Sequence, residues 1–515
     1  MTLDDGKLLV KLARSGMVEF IKSRTPADKQ TIGPEMKHLT TRFHPASVTL
    51  RSSGKLLARS FRADTNVCRS VLAAALDAMR SSNLPDRVTP AVLAAMTVEV
   101  EIHGRPRAVS PNELGDCMVQ GLTGVTISRG TVRGSVLPST TYSLGLTADQ
   151  TRMTCLAKLP KTRKKSARTD AWSIFSSKHY VGYPDATVVQ LFRGKILIPP
   201  QGLTAEIFSD SAAAAGLFLI NGQGSDGAYA SPNRKAAIHE HLYATYAMAK
   251  LSRRNKSKLF SASVNRALAY AARFVLADDK QARVLAKSAK GRTTENPTRA
   301  TAWLLLAISE LPPDPANKKL AEKLARALQQ DVVSVVGPDH GLATPGQLLD
   351  WSAALLALRR SLPKNERTTK LLAPLRETMQ AWSKSGQKLS PLVFRGTGGM
   401  TALPKWRQID DSDLPDRRGG FVSSRTEPTT FDTAMAAVCL AESVESGAVA
   451  REDKASISKQ VLRARQFCCQ MLYRSPEAWW AGKPAKMIGG IRVSPSSASV
   501  NLEACAAAIE AFLLE

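Results

Sequence analysis

The second half of this 515-residue chain alternates two kinds of helical segment, and that alternation restricts the fold more than any other feature. Five segments carry small residues along one helical face: Leu242–Leu251, Thr298–Leu311, Leu348–Leu358, Phe431–Glu442 and Asn501–Leu513. Between them lie longer, more charged segments at Ala262–Leu276, Lys318–Val333, Thr368–Lys384 and Ile457–Tyr473. Small side chains let helices approach closely, while amphipathic helices keep one side in solvent, so the pattern predicts inner and outer layers. The spacing of Ala249, Ala307, Ala357, Ala441 and Ala508 is unequal, with the largest step across the Pro/Gly-rich stretch Ser385–Thr430. That excludes a regular open solenoid and leaves a closed ring of helices.

A signature marks where the array begins. Gln223-Gly224-Ser225-Asp226-Gly227-Ala228-Tyr229 follows the alanine-rich stretch Ser211–Ile220. A glutamine and an aspartate around a glycine turn, with an aromatic plug behind, would tie one helix end to the next. Arg417-Arg418-Gly419-Gly420-Phe421 looks like an altered second copy. The signature resembles the repeated glutamine–tryptophan motif of terpenoid cyclases. The array as a whole is similar to the α/α toroids of prenyltransferase-like proteins, glucosamine epimerases and six-hairpin glycosidases. The resemblance implies an all-α toroid over residues 205–515 with an irregular insert at 385–430. Its cavity would bind a saccharide-like or isoprenoid-like small molecule, with hydrolase or isomerase chemistry left open.

The first half reads as α+β. Helical spacing runs over residues 3–24 and Cys68–Met79, and short strands alternate at Ser47–Leu50, Leu56–Phe61, Met96–His103, Gly124–Ser128, Arg133–Leu137 and Val188–Phe192. Several stretches match a known family in order: Val48-Thr49-Leu50 with Gly54-Lys55-Leu56, Val88-Thr89-Pro90 with Val98–Ile102, the glycine-rich hairpin Gly121–Pro138, and Trp172. On these, residues 7–198 resemble the AMMECR family, placing an AMMECR-like domain over residues 1–200. The family's Leu-Arg-Gly-Cys-Ile-Gly is replaced here by Leu56-Leu57-Ala58-Arg59-Ser60-Phe61, so the cysteine has become Arg59. A thiolate can act as a nucleophile, whereas an arginine binds anions. The resemblance also implies a Memo-type or radical-SAM partner.

Composition narrows the function classes. Hydrophobic residues at 43 % and charged residues at 22 % describe a globular chain, long enough for two domains. No apolar run reaches the roughly 18 residues that span a bilayer, and the N-terminus lacks the pattern of a signal peptide. The seven cysteines are scattered without a CxxC pair, so a disulfide framework, a zinc site or another cofactor is not expected, and a reduced, cytoplasmic protein is. The net charge of +27 invites a polyanion, with basic clusters at Lys158–Arg168, Arg253–Lys258 and Lys280–Arg292. Aromatics, at 6 %, are not interleaved with them, so stacking platforms for RNA are not evident. The alternative to a ligand-binding toroid is therefore a non-enzymatic basic scaffold that docks RNA or an acidic protein.

Loops leading into inner helices should crowd one mouth of a toroid, which makes their polar residues the site candidates. The expected catalytic set is Glu240, His241 and Asp432, with Glu240 and Asp432 as a carboxylate pair. Asp226, Tyr229, Arg234, His239, His340, Arg492 and Asn501 are the expected ligand contacts. Asp226 and Asp432 also sit where capping residues sit, and His239 and His241 are too close in sequence to share a metal as an i, i+4 pair would. In the first half Arg59, Arg62 and Arg133 are the expected anion site, with ordinary surface arginines as the alternative.

Overall fold

The structure is a computed structural model that describes residues 1–85, 88–159, 170–230, 236–285, 296–333, 344–362, 389–396, 406–423 and 427–514. Its contacts divide the chain into two compact units. The first comprises Met1–Leu197 with Tyr473–Ile488 and Ser496–Ala498, and the second Ile198–Leu472 with Gly489–Pro495 and Ser499–Glu515. The expected division at residues 200–205 is thus not a simple one, because the chain re-enters the first unit late.

The first unit is built on an eight-stranded antiparallel sheet. Its strands are β1 (Ala46–Ser52), β2 (Lys55–Arg62), β3 (Thr97–His103), β4 (Arg107–Val109), β5 (Thr123–Arg129), β6 (Val132–Val136), β7 (Ala171–Gly182) and β8 (Val188–Leu191). The order is β2-β1-β3-β7-β5-β6, with β4 and β8 also on β7. The helices α1 (Leu3–Ser23) and α2 (Val67–Ala78) are joined by three short ones, α3 (Pro90–Ala94), α4 (Leu114–Cys117) and α5 (Pro138–Ser143), and by α6 (Ala148–Ala157). Thr2 starts α1 by accepting the Asp5 N–H, and Arg24 ends it in the left-handed conformation.

Strand alternation sorts β3 onto two faces. Val98, Val100 and Ile102 join the core formed with α1 and α2, while Glu99, Glu101 and His103 are buried on the other face. The central strand β7 was not anticipated beyond Trp172. Its Ser176-Ser177-Lys178-His179 stretch breaks the apolar alternation that reveals a strand, because Ser177 and His179 serve the polar face and Lys178 is exposed on the other.

Among its described residues the second unit is helical apart from two short hairpins. Its helices are α7 (Ala205–Asn221), α8 (Ile238–Asn255), α9 (Lys258–Ala272), α10 (Pro297–Ser309), α11 (Pro315–Val333), α12 (Pro345–Ser361), α13 (Pro391–Gly396), α14 (Thr430–Glu445), α15 (Lys454–Met471) and α16 (Leu502–Phe512). Packing runs α8–α10–α12–α13–α14–α16 and back to α8, which closes an inner ring. Around it, α7 packs on α8 and α16, α9 on α8, α11 on α10 and α12, and α15 on α14 and α16. The five small-residue segments are all inner helices. The sixth inner element, α13, falls inside the stretch expected to be an irregular insert. The charged segment Thr368–Lys384 lies outside the described residues. No described helix is long and apolar enough to cross a membrane.

A repeated device joins the layers. Gly227 has φ of +92°, and a Cβ there would lie 2.3 Å from the Arg266 carbonyl oxygen of α9. Gly419 and Gly489 repeat this at φ of +83° and +85°, against the carbonyls of Arg463 on α15 and Ala214 on α7. Two residues later stands a buried plug: Tyr229, Phe421 or Ile491. The Arg417–Phe421 copy is therefore real, and a third copy reads Gly489-Gly490-Ile491. Left-handed backbone against a carbonyl admits only glycine. Gly227→Ala and Gly489→Ala should each destabilise the protein by about 2–3 kcal/mol, measured as a lowered urea midpoint. A midpoint unchanged in both variants would show that the loops yield.

Candidate functional site

The plug residues show what the starts of the inner helices do. The Tyr229 N–H donates to His241 Nδ1 at 3.1 Å, and the Phe421 N–H to Thr433 Oγ1 at 3.0 Å. The Val284 N–H donates to Thr301 Oγ1 at 3.0 Å, and the Ile491 N–H to the Cys505 thiol. Each acceptor stands on the first turns of an inner helix. His241 is one of these clasps. Its Nε2 lies 3.1 Å from the Ala267 carbonyl, so it carries the proton while Nδ1 accepts. Burial pushes its pKa down to about 4, against the help of that carbonyl.

The other residues of the signature hold the same loop. Gln223 donates to the carbonyls of Gly227 and Ser263 at 2.9 and 3.0 Å and accepts from Ser263 and Arg266. The Tyr229 hydroxyl meets Ser263 Oγ at 2.9 Å, and Asp226 Oδ1 accepts the Ala228 N–H at 3.1 Å. Further expected contacts are caps. Asn501 accepts the Ala504 N–H at 2.7 Å, Glu240 accepts the Ala237 N–H at 2.9 Å, and Asp432 accepts the Thr429 hydroxyl at 2.9 Å. Arg492, fully buried, directs one nitrogen to the carbonyls of Gln470, Met471 and Leu472 at 3.3–3.4 Å, closing the end of α15. Arg234 and His340 lie outside the described residues.

Glu240 and Asp432, the expected carboxylate pair, cap the starts of α8 and α14, which α16 separates in the ring. His239, Glu240 and Glu503 converge, their ligand-type atoms all within 4.8 Å of one another at the starts of α8 and α16. His239 Nε2 is 3.8 Å from Glu503 Oε1. Glu503 was missed, since nothing in sequence distinguishes it from a surface glutamate in a first helical turn.

The opposite ends of the inner helices meet in a buried ionic network, so neighbouring inner helices run parallel. Arg395 on α13 spans Glu510 on α16 (2.8 and 3.0 Å) and Glu442 on α14 (2.8 Å). Glu510 also accepts from Tyr243 at 3.0 Å and Lys250 at 3.2 Å, and Arg360 reaches Glu442 and the Tyr246 hydroxyl. Burial alone would raise the Glu510 carboxyl. The charges of Arg395, Lys250 and Arg360 outweigh it and hold the group far below the usual carboxylate range. Above the network Tyr243 packs on Trp303 with ring centroids 4.3 Å apart and reaches Phe431 at 6.3 Å. Tyr243, Trp303, Arg395 and Glu510 are all buried, so this level of the ring is filled, not hollow.

In the first unit the three expected anion-binding arginines do not converge. Arg59 points to the polar face, donating to Thr49 Oγ1 at 2.8 Å and to Thr140. Arg62 pairs with Asp77 of α2, and Arg133 is exposed on β6. An odd and an even position on β2 face opposite ways, which separates Arg59 from Arg62. The polar face is a closed network: Glu99 accepts from Arg51 and lies 3.1 Å from His179 Nε2, and Glu101 accepts from Ser139 at 2.5 Å and Ser177 at 3.1 Å. Trp479 covers it, with the Arg51 guanidinium 4.8 Å from its ring centre and His179 edge-on at 4.9 Å. Glu99, Glu101 and His179 have metal-ligand chemistry within 4.8 Å. Arg51 and Arg59 already balance the two carboxylates, so a dication would compete with two guanidinium groups.

His241 and His103 both have pKa values pushed down to about 4 by burial. Below about pH 6.5 the unfolded chain takes up protons that these native imidazoles refuse until about pH 4. Stability should therefore be full above pH 6.5 and fall as the pH drops through this window, by at most roughly 3 kcal/mol per histidine. Urea titrations between pH 7 and 4 should show that slope, and His241→Gln should reduce it; an identical slope in the variant would remove His241 from the account.

No family model and no curated protein matches the sequence. Among solved structures the chain is similar to the uncharacterized protein PH0010 from Pyrococcus horikoshii, at 17 % identity and a TM-score of 0.33, covering 37 % of this chain and 98 % of that one. It is also similar to the GH76A alpha-1,6-mannanase of Salegentibacter sp. HEL1_6, at 10 % identity and a TM-score of 0.40, covering 60 % and 100 %. A family 76 glycoside hydrolase from a bovine Bacteroides thetaiotaomicron strain is similar at 8 % identity and a TM-score of 0.35, covering 81 % and 95 %.

Proposed function

We propose that the second unit binds a neutral, saccharide-like ligand at the mouth formed by the starts of its inner helices. The observation that carries this reading is the convergence of His239, Glu240 and Glu503 at the α8–α16 seam. Carboxylates and an imidazole suit a polyhydroxylated molecule, which needs several hydrogen-bond partners. An isoprenoid diphosphate needs free cations instead. Among the described residues at these helix starts, Arg299 is paired with Asp350 at 2.8 Å, Arg417 with Glu427 at 3.4 Å, and Arg492 is buried as a cap. Hydrolase or isomerase chemistry would fall to Glu503 and His239, the acid–base groups of the cluster. The first unit is, on this reading, an AMMECR-type domain with Arg59 in place of the thiol, and so without cysteine chemistry.

The test is binding of an oligosaccharide panel, alongside farnesyl diphosphate, by NMR titration. At least one oligosaccharide should bind, with His239→Ala and Glu503→Gln each weakening it about tenfold or more. Response to the diphosphate alone would replace the sugar reading with the isoprenoid one.

A specific feature also favours the polyanion alternative. A cleft of about 730 Å³ between the end of α8, the start of α9 and the turn after α10 is lined by Lys256, Lys258 and Arg253, the last paired with Glu310 at 2.8 Å. If it docks RNA, affinity should fall steeply between 50 and about 200 mM salt and drop further in Lys256→Glu; salt-independent or absent binding would discard it.

A further inference from the structure

A groove of about 660 Å³ lies in the first unit between one face of α1 and the turn joining β7 to β8. That size falls within the range of small-molecule pockets. Its apolar lining comes from Val10, Val18, Tyr183 and Val188. Its charges come from α1 alone, where Lys7, Lys11 and Arg14 recur at helical spacing and line the same groove.

Arg14 is the unusual member. Its guanidinium donates to four backbone carbonyls, those of Leu93 at 3.3 Å, Met96 at 2.8 Å, and Gly182 and Tyr183 at 3.1 Å each. These bonds fix it in the groove wall but bring no negative charge. Lys7 pairs with Asp4 at 2.9 Å on the exposed side, whereas neither Lys11 nor Arg14 forms an ion pair among the described residues. A largely buried cation without a counter-charge is unfavourable, and burial alone accounts for the lowering of its pKa. An anion in the groove would relieve that, and its body would have to be apolar to follow the valines.

We propose that this groove binds a free fatty acid, the carboxylate against Lys11 and Arg14 and the acyl chain along Val10, Val18 and Val188. Charge complementarity selects the carboxylate, because no acidic side chain lines the groove. The apolar lining selects the chain, since a small inorganic anion would leave it exposed.

The full-length protein titrated with dodecanoate below its micellar concentration, followed calorimetrically, tests the proposal. One saturable site is expected, about tenfold weaker for dodecanol and for Lys11→Glu. Ser15→Trp, at an exposed position on the groove rim, should block it while the melting temperature stays that of the wild type. Absence of saturable binding would overturn the proposal, as would dodecanol binding as tightly as dodecanoate or retention of affinity in both variants. Binding to phosphatidylglycerol vesicles without binding of monomeric dodecanoate would overturn it too, in favour of a membrane surface.

Discussion

The ring of the second unit depends on the bond network that Arg395 makes with Glu442 and Glu510. Three inner helices supply these residues, and Lys250 and Arg360 add two more. The network ties non-adjacent inner helices through charge. Removing Arg395 or Glu510, both fully buried, would leave charge in a dry interior, which is far costlier than losing an exposed pair. The placement of the cations also suits the backbone. Arg360 and Arg395 stand in the last turns of their own helices, where carbonyl ends favour positive charge. With Tyr243 and Trp303 packed above, the axis is a core at this level.

That end is organised by a different device. Glycine turns pressed against outer-helix carbonyls deliver a buried plug residue, and its N–H is taken by a side chain early in the next inner helix. Using His241, Thr433 and Cys505 for the same bond shows that the geometry, not the chemical type, is what the fold requires. It also removes His241 from the groups free to do chemistry, and the caps formed by Glu240 and Asp432 explain why those positions favour carboxylates.

The first unit applies the same economy to a sheet. One face of β3 packs on α1 and α2, and the other carries Glu99, Glu101 and His103 in a network closed by arginines, serines and Trp479. Trp479 comes from Tyr473–Ile488, a segment remote in sequence that the contacts assign to this unit. Gly54, at φ of +80°, lets it lie close, since a Cβ there would meet the Ala481 carbonyl oxygen at 1.7 Å.

Much of this was legible before folding. Alanine-rich and charged segments alternate because inner and outer helices meet different surroundings, so five inner helices could be read directly. The alternation of β3 announced a strand, though its polar face is buried as well, and Gln223–Tyr229 announced the loop it forms. The sixth inner element, α13, was hidden because its six residues are too few to show a period. The network was hidden because Glu510 and Arg395 each stand alone among apolar neighbours, and only closure of the ring brings them together. Periodicity and local bonding are properties of neighbouring residues, and sequence by itself determined those: helix types, caps and turns. Which carboxylates meet depends on ring order and strand register, which join residues from tens to more than a hundred positions apart, and only the tertiary structure decided them.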